Sequence, residues 1–151
     1  MGKPVPHAVV VDTSVKVAML FASEPRHKEA LQLFNLLTEA KAQLLQPASA
    51  TFELLCAVRR KNAPTNPNKE GQYFESVPLK GTDIFINRAF LVEYMHPDLP
   101  YSGLKSGDLL IFAVAKKHGI PLITEDEKLL KVAKGVGLGY TVQEFLDTYE
   151  S

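Results

Sequence analysis

Residues Ala8-Val9-Val10-Val11 form an unbroken apolar run, rich in β-branched side chains, that stops at Asp12. A strand with one face in water alternates apolar and polar residues. A run without alternation marks a strand covered on both faces, the setting of a parallel sheet with helices on either side. Such a sheet needs helical crossovers, and the chain supplies candidates. From Ser14 to Ala22 and from Arg26 to Ala40 the apolar residues follow helical spacing. Ala30, Leu33, Phe34 and Leu37 make one stripe, and Pro25 opens the second segment, so an antiparallel helix pair is expected. Leu44-Leu45, closed by Gln46-Pro47, reads as a second strand. Ala48 to about Lys61 reads as a helix with Phe52, Leu55 and Val58 toward the core.

Beyond that helix, Asn62 to Gly71 holds little but turn formers and charges and is expected to be an exposed loop. Gln72 to Leu79 suits a third strand, and Thr82 with Asp83 supplies an N-cap and a first-turn acid for a helix running to about Met95. A Pro- and Gly-rich link, His96 to Gly107, precedes a helix from Asp108 to His118 that Gly119 ends. Pro121-Leu122-Ile123-Thr124 reads as another short buried strand, Lys128 to Lys134 as helix, and Gly135 to Gly139 as a turn. Tyr140-Thr141-Val142 suits an edge strand and Gln143 to Tyr149 a closing helix. This alternation implies right-handed crossovers and an α/β fold, a three-layer α/β/α sandwich with a central, mainly parallel sheet. A chain of 151 residues, 46% apolar, can bury one continuous core, so residues 1–151 are read as a single domain.

Seventeen Lys plus Arg balance seventeen Asp plus Glu, so no global positive field draws in nucleic acid. A basic surface for an RNA backbone must be local, and Arg59, Arg60, Lys61, Lys116, Lys117 and Lys128 are the candidates. The start, Met1 to Pro6, lacks the apolar core of a signal peptide, and Pro6 stands where a myristoylation signal has Ser or Thr. Leu109 to Ala115, the longest uncharged apolar run, falls far short of the roughly 20 residues that span a bilayer. Lone Cys56 makes no internal disulfide. A cytoplasmic protein without a membrane segment is expected.

Four acids stand where the chain leaves a strand or begins a helix: Asp12, Glu53, Asp108 and Asp126. Each has an ordinary explanation. Asp12 and Asp126 suit helix caps, Asp108 complements a helix dipole, and Glu53 has Arg59 or Arg60 on its own helix. Their joint placement argues otherwise, because ligands in such sheets sit beyond the carboxyl ends of the strands. Two carboxylates about 5 Å apart repel by roughly 3 kcal/mol at an effective dielectric near 20, so a cluster of four calls for a cation. Hard oxygen donors favour Mg²⁺ or Mn²⁺, and His7, His27, His96, His118 and Cys56 show no zinc spacing. Phosphodiester hydrolysis suits this equipment, since a metal ion activates water and offsets phosphate charge without a protein nucleophile.

The order of motifs resembles the PIN domain. The residues that carry the likeness are Asp12-Thr13-Ser14-Val15 after an apolar strand, Glu53 within Pro47 to Glu53, Gly107-Asp108 opening an apolar helix, and Leu122-Ile123-Thr124-Glu125-Asp126. The resemblance covers nearly the whole chain. It implies a Mg²⁺- or Mn²⁺-dependent ribonuclease acting on RNA, as in VapC-type toxins of toxin–antitoxin pairs, with an antitoxin partner and a homodimer. By the same resemblance Asp12, Glu53, Asp108 and Asp126 are the metal-binding catalytic acids, with Ser14 and Thr124 as supporting polar groups. The loop around Asn62 to Gly71 stands where the family commonly has a further helix. Two other functions compete: a PIN-like RNA- or protein-binding module without turnover, and a phosphate-accepting Asp12. The dehalogenase form of the latter wants a second Asp at position 14, where Ser14 stands.

Overall fold

The valine run lies at the centre of a five-stranded parallel sheet. The computed structural model of the protein describes residues 2–62, 81–96 and 103–150. In chain order its elements are β1 (Lys3–Pro4), β2 (Ala8–Val11), α1 (Thr13–Leu20), α2 (His27–Glu39), β3 (Gln43–Pro47), α3 (Ala48–Asn62), β4 (Thr82–Ile84) and α4 (Arg88–Tyr94). They continue as α5 (Ser106–His118), β5 (Leu122–Ile123), α6 (Glu127–Gly135), β6 (Gly139–Tyr140), α7 (Val142–Thr148) and β7 (Tyr149–Glu150). The sheet order is β4-β3-β2-β5-β6, every pairing parallel, with Ala8 opposite Gln43 and Val11 opposite Ile123. Short β1 and β7 pair separately, joining the two ends of the described chain.

Successive side chains of a strand point to opposite faces, and the core divides accordingly. Val9, Val11, Leu44 and Ile123 pack with residues of α1, α2 and α7, including Ala18, Leu33 and Phe145. Val10, Leu45 and Leu122 pack on the other face with Phe90, Phe112 and Leu129 from α4, α5 and α6. Helices thus cover both faces, the three-layer α/β/α arrangement expected from the absence of alternation. Gly119 ends α5 in the left-handed conformation (φ 61°), which a residue without a Cβ adopts freely.

Thr82 and Asp83 depart from expectation. Rather than opening a helix, Thr82-Asp83-Ile84 is a strand registered against Leu45-Gln46-Pro47. Asp83 accepts hydrogen bonds from Gln46 Nε2 (2.8 Å) and from the Thr51 hydroxyl, and Asn87 caps α4 instead, its Oδ1 accepting from Phe90 N at 3.0 Å. Thr141 likewise leaves the expected edge strand to cap α7, in a reciprocal pair with Glu144. α5 begins at Ser106, two residues before Asp108, and Asn62 ends α3. The loop expected over 63–71 and the strand expected over 72–79 lie outside the described residues.

Candidate functional site

Because the strands are parallel, β2, β3 and β5 deliver their carboxyl ends to one edge, and the elements that follow carry the acids there. Asp12 follows Val11 directly and is fixed at both main-chain and side-chain level. Its N–H donates to Ile123 O at 2.9 Å. Its Oδ2 accepts from the Thr124 hydroxyl at 2.8 Å and from the Ser14 hydroxyl at 3.2 Å. Asp12 stands at the N-cap position of α1 but makes no side-chain cap bond, so the capping explanation fails for it. Both hydroxyls converge on Oδ2, and Oδ1 accepts no hydrogen bond among the described residues.

Thr124, fully buried, spends its hydroxyl in both directions: it donates to Asp12 and accepts from Asp126 N at 3.0 Å. Asp126 does cap α6, its Oδ1 accepting from Leu129 N at 2.8 Å. Capping leaves its second oxygen uncommitted among the described residues. Thus Asp12, Ser14, Thr124 and Asp126 form one hydrogen-bonded chain across the ends of two adjacent strands.

Glu53 and Asp108 complete the group from the helices. Glu53 is exposed on α3, and its Oε2 accepts from the Thr13 hydroxyl at 3.3 Å. Its other oxygen lies against the start of α5, where a Cβ on Gly107 would come within 2.6 Å of Oε1. A glycine at this position is what lets the two helices bring Glu53 beside Asp108. The Asp108 carboxyl is held above its ordinary pKa, first by partial burial and then by the charges of Asp12, Asp126 and Glu53; Lys105 pulls the other way. All four acids therefore share one electrostatic neighbourhood. They do not converge tightly: among the described residues no three His, Cys, Asp or Glu side chains are grouped closely enough to hold a metal ion as they stand. Long-range repulsion and ligand distance are different tests, and both hold at once. The donor chemistry, four carboxylates without a nitrogen or sulfur, fits a hard divalent cation.

Beneath Asp12 lies a residue that the sequence reading passed over. Lys16 is only 1% exposed, and its ammonium donates to Gln46 Oε1. Gln46 Nε2 reaches Thr51 and Asp83 in turn. Burial lowers the Lys16 pKa to about 8, against the raising influence of Asp12 and Asp83. Its signal in the sequence was a single charge inside Val15-Lys16-Val17-Ala18-Met19. Part of the expected basic surface lies away from the acids, while Lys128 stands two residues after Asp126 in the first turn of α6. Lys116 and Lys117 lie in the last turn of α5, at least eight residues beyond Asp108, about 12 Å at 1.5 Å per residue. Lys61 pairs with Glu24. Lys105, missed by sequence reasoning, is the cation that acts on Asp108.

A family model described as PIN domain matches residues 9–135. None of the curated proteins compared matches the chain. Solved structures do. PAE2754 from Pyrobaculum aerophilum superposes with a TM-score of 0.55 at 17% identity, covering 90% of this chain and 84% of its own. VapC20 of Mycobacterium tuberculosis, a sarcin–ricin loop cleaving toxin, gives a TM-score of 0.59 at 17% identity over 86% of this chain and 95% of its own. A chain of FitAB bound to the IR36 DNA fragment gives 0.59 at 15% identity, covering 91% and 96%. At such identities the likeness establishes the fold.

Proposed function

The chain belongs to the PIN domain family, and from that premise we propose that it is a Mg²⁺- or Mn²⁺-dependent endoribonuclease, the toxin of a toxin–antitoxin pair. The observation that supports the reading is that Asp12, Glu53 and Asp126 lie near enough to Asp108 for their charges, after its partial burial, to hold its pKa up. A bound divalent cation supplies the positive charge that offsets this repulsion and the phosphate's own, and lowers the pKa of water. Asp12, whose Oδ2 Ser14 and Thr124 hold, would help to bind it. Asp126, which caps α6 through Oδ1, would contribute from the end of the neighbouring strand. Glu53 and Asp108 close the group from the helix side.

RNA is the proposed substrate, an antitoxin protein and a second copy of the chain the proposed partners, and the cytoplasm the proposed setting. Among the described residues no helix is long and apolar enough to cross a membrane. The test is cleavage of an RNA panel in Mg²⁺ or Mn²⁺ by the wild type and Asp12→Asn. We expect metal-dependent cleavage that falls more than about 100-fold in the variant, beyond the usual 10–100-fold effect of disturbing a residue that merely supports a metal ligand. Equal cleavage by both proteins contradicts the proposal. The wide spacing of the acids favours one alternative, an RNA- or protein-binding module without turnover; saturable binding with no cleavage in either metal selects it.

A further inference from the structure

Beside the acidic group lies a half-open cleft of about 230 Å³. Its lining combines the apolar Ala18, Pro25, Ala30 and Val142 with the polar Ser14, Glu24, Arg26 and Glu125. Two of these polar residues also belong to the acidic edge. Ser14 donates to Asp12, and Glu125 stands between Thr124 and Asp126 in the chain. Glu125 is held in place at both oxygens: Oε1 accepts from Val142 N at 3.0 Å, and Oε2 lies 3.1 Å from Arg26 Nη1. Arg26, itself part of the lining, is thereby ion-paired to Glu125, with a further 3.8 Å contact to Glu29.

Size narrows the occupant. The cleft falls below the roughly 300–1,000 Å³ of pockets that take drug-sized ligands, and at about 30 Å³ per water it holds roughly eight waters. That is the scale of one flat heterocycle. Sequence-specific RNA recognition turns on unstacked bases seated in pockets and laid against aromatic or guanidinium planes, and the ion-paired Arg26 supplies a guanidinium within the cleft lining. We propose that this cleft is a nucleobase subsite that seats an unstacked base of single-stranded RNA next to the phosphate held at the carboxylates. The inference rests on the nuclease reading for its placement. It assigns base preference to Arg26 and the apolar lining rather than to the acids.

The test is methyl NMR of the metal-free protein titrated with adenosine, guanosine, cytidine and uridine, with free ribose as control. Uncharged nucleosides avoid repulsion by the carboxylates, and the readout needs no turnover. At least one nucleoside is expected to shift the Ala18 and Ala30 methyls saturably while ribose does not. Arg26→Ala should weaken that binding about two- to fivefold. Ala18→Leu, which fills the cleft, should abolish the Ala30 shift in a protein whose melting and other methyl signals are unchanged. If Ala18→Leu does not fold, Arg26→Ala alone decides. The proposal is overturned if no nucleoside shifts these methyls, if ribose shifts them equally, or if Arg26→Ala binds as the wild type does. RNA cleavage without such shifts overturns the subsite alone, and nucleoside binding without cleavage leaves the subsite standing while the nuclease reading falls.

Discussion

Asp12 and Glu53 carry the same functional group to the same edge of the same sheet, yet they are held in opposite ways. Asp12 is 7% exposed, anchored through its N–H and receiving two hydroxyl donors on one oxygen. Glu53 is exposed and keeps one long hydrogen bond to Thr13. On the strand side Asp12 is fixed by several hydrogen bonds, whereas on the helix side Glu53 is held by one long one. That division accounts for a group whose charges are felt by one another but whose oxygens do not meet: the fixed half sets the position, and the loose half can close on a ligand.

On the fixed side, buried Lys16 lies near enough to Asp12 to feel its charge. Its pKa of about 8 in the folded protein lies under the ordinary 10.5. Between those values the unfolded chain binds more protons than the folded one, so stability rises with pH across that window. Below pH 8 the buried ammonium is a standing penalty, on the order of 3 kcal/mol. Urea unfolding at pH 7.5 and pH 10 should therefore show the wild type gaining a few kcal/mol relative to Lys16→Met. Parallel changes in the two proteins would mean that Lys16 is not held as its burial indicates.

Thr124→Val is the next sharpest test. It keeps the shape and removes the hydroxyl that joins Asp12 to Asp126, leaving Asp12 short of a donor. We expect a loss of about 1–3 kcal/mol in stability and a 10–100-fold fall in metal affinity or cleavage. Gly107→Ala probes the loose half. The added methyl would crowd Glu53 Oε1, which can swing away because it ends a flexible, exposed side chain. Stability should then change by no more than about 1 kcal/mol, with alanine favoured in the helix, while cleavage falls. A variant that loses stability and keeps activity would reverse the assignment of the two halves.

The smallest effect is expected from Asp108→Asn without metal. A raised carboxyl pKa means that the folded chain binds more protons above pH 3.8, so ionisation of Asp108 lowers stability as pH rises through its folded value. Removing the charge should stabilise the metal-free protein at neutral pH, by less than about 1 kcal/mol after solvent screening. Thermal melting at pH 4 and pH 7 checks the sign: the variant's advantage should be confined to the higher pH.

Much of this division was legible in the sequence, and the reasons are local. Val9, Val10 and Val11 announce a central strand because no polar residue interrupts them, and parallel pairing then fixes which edge receives Asp12 and Asp126. The first turn of α5 was equally plain at Asp108. What escaped depended on contacts distant in sequence. Thr82-Asp83 carries the residue types of a helix cap, and only pairing with Leu45 to Pro47 makes it a strand. Lys16 drew no reading, because its partner Gln46 lies thirty residues away in the chain. The cleft beside Ser14 draws its walls from α1, α2, α7 and the end of β5, four segments that no local pattern links.

We propose that the four carboxylates form one divalent-cation site. Thermal melting of the wild type, Asp12→Asn and Asp108→Asn with and without Mn²⁺ or Mg²⁺ tests it most directly, because a ligand that binds only the folded state raises its stability. A metal-dependent rise is expected in the wild type, lost in Asp12→Asn and reduced or lost in Asp108→Asn. No rise in the wild type, or equal rises in all three proteins, would contradict it.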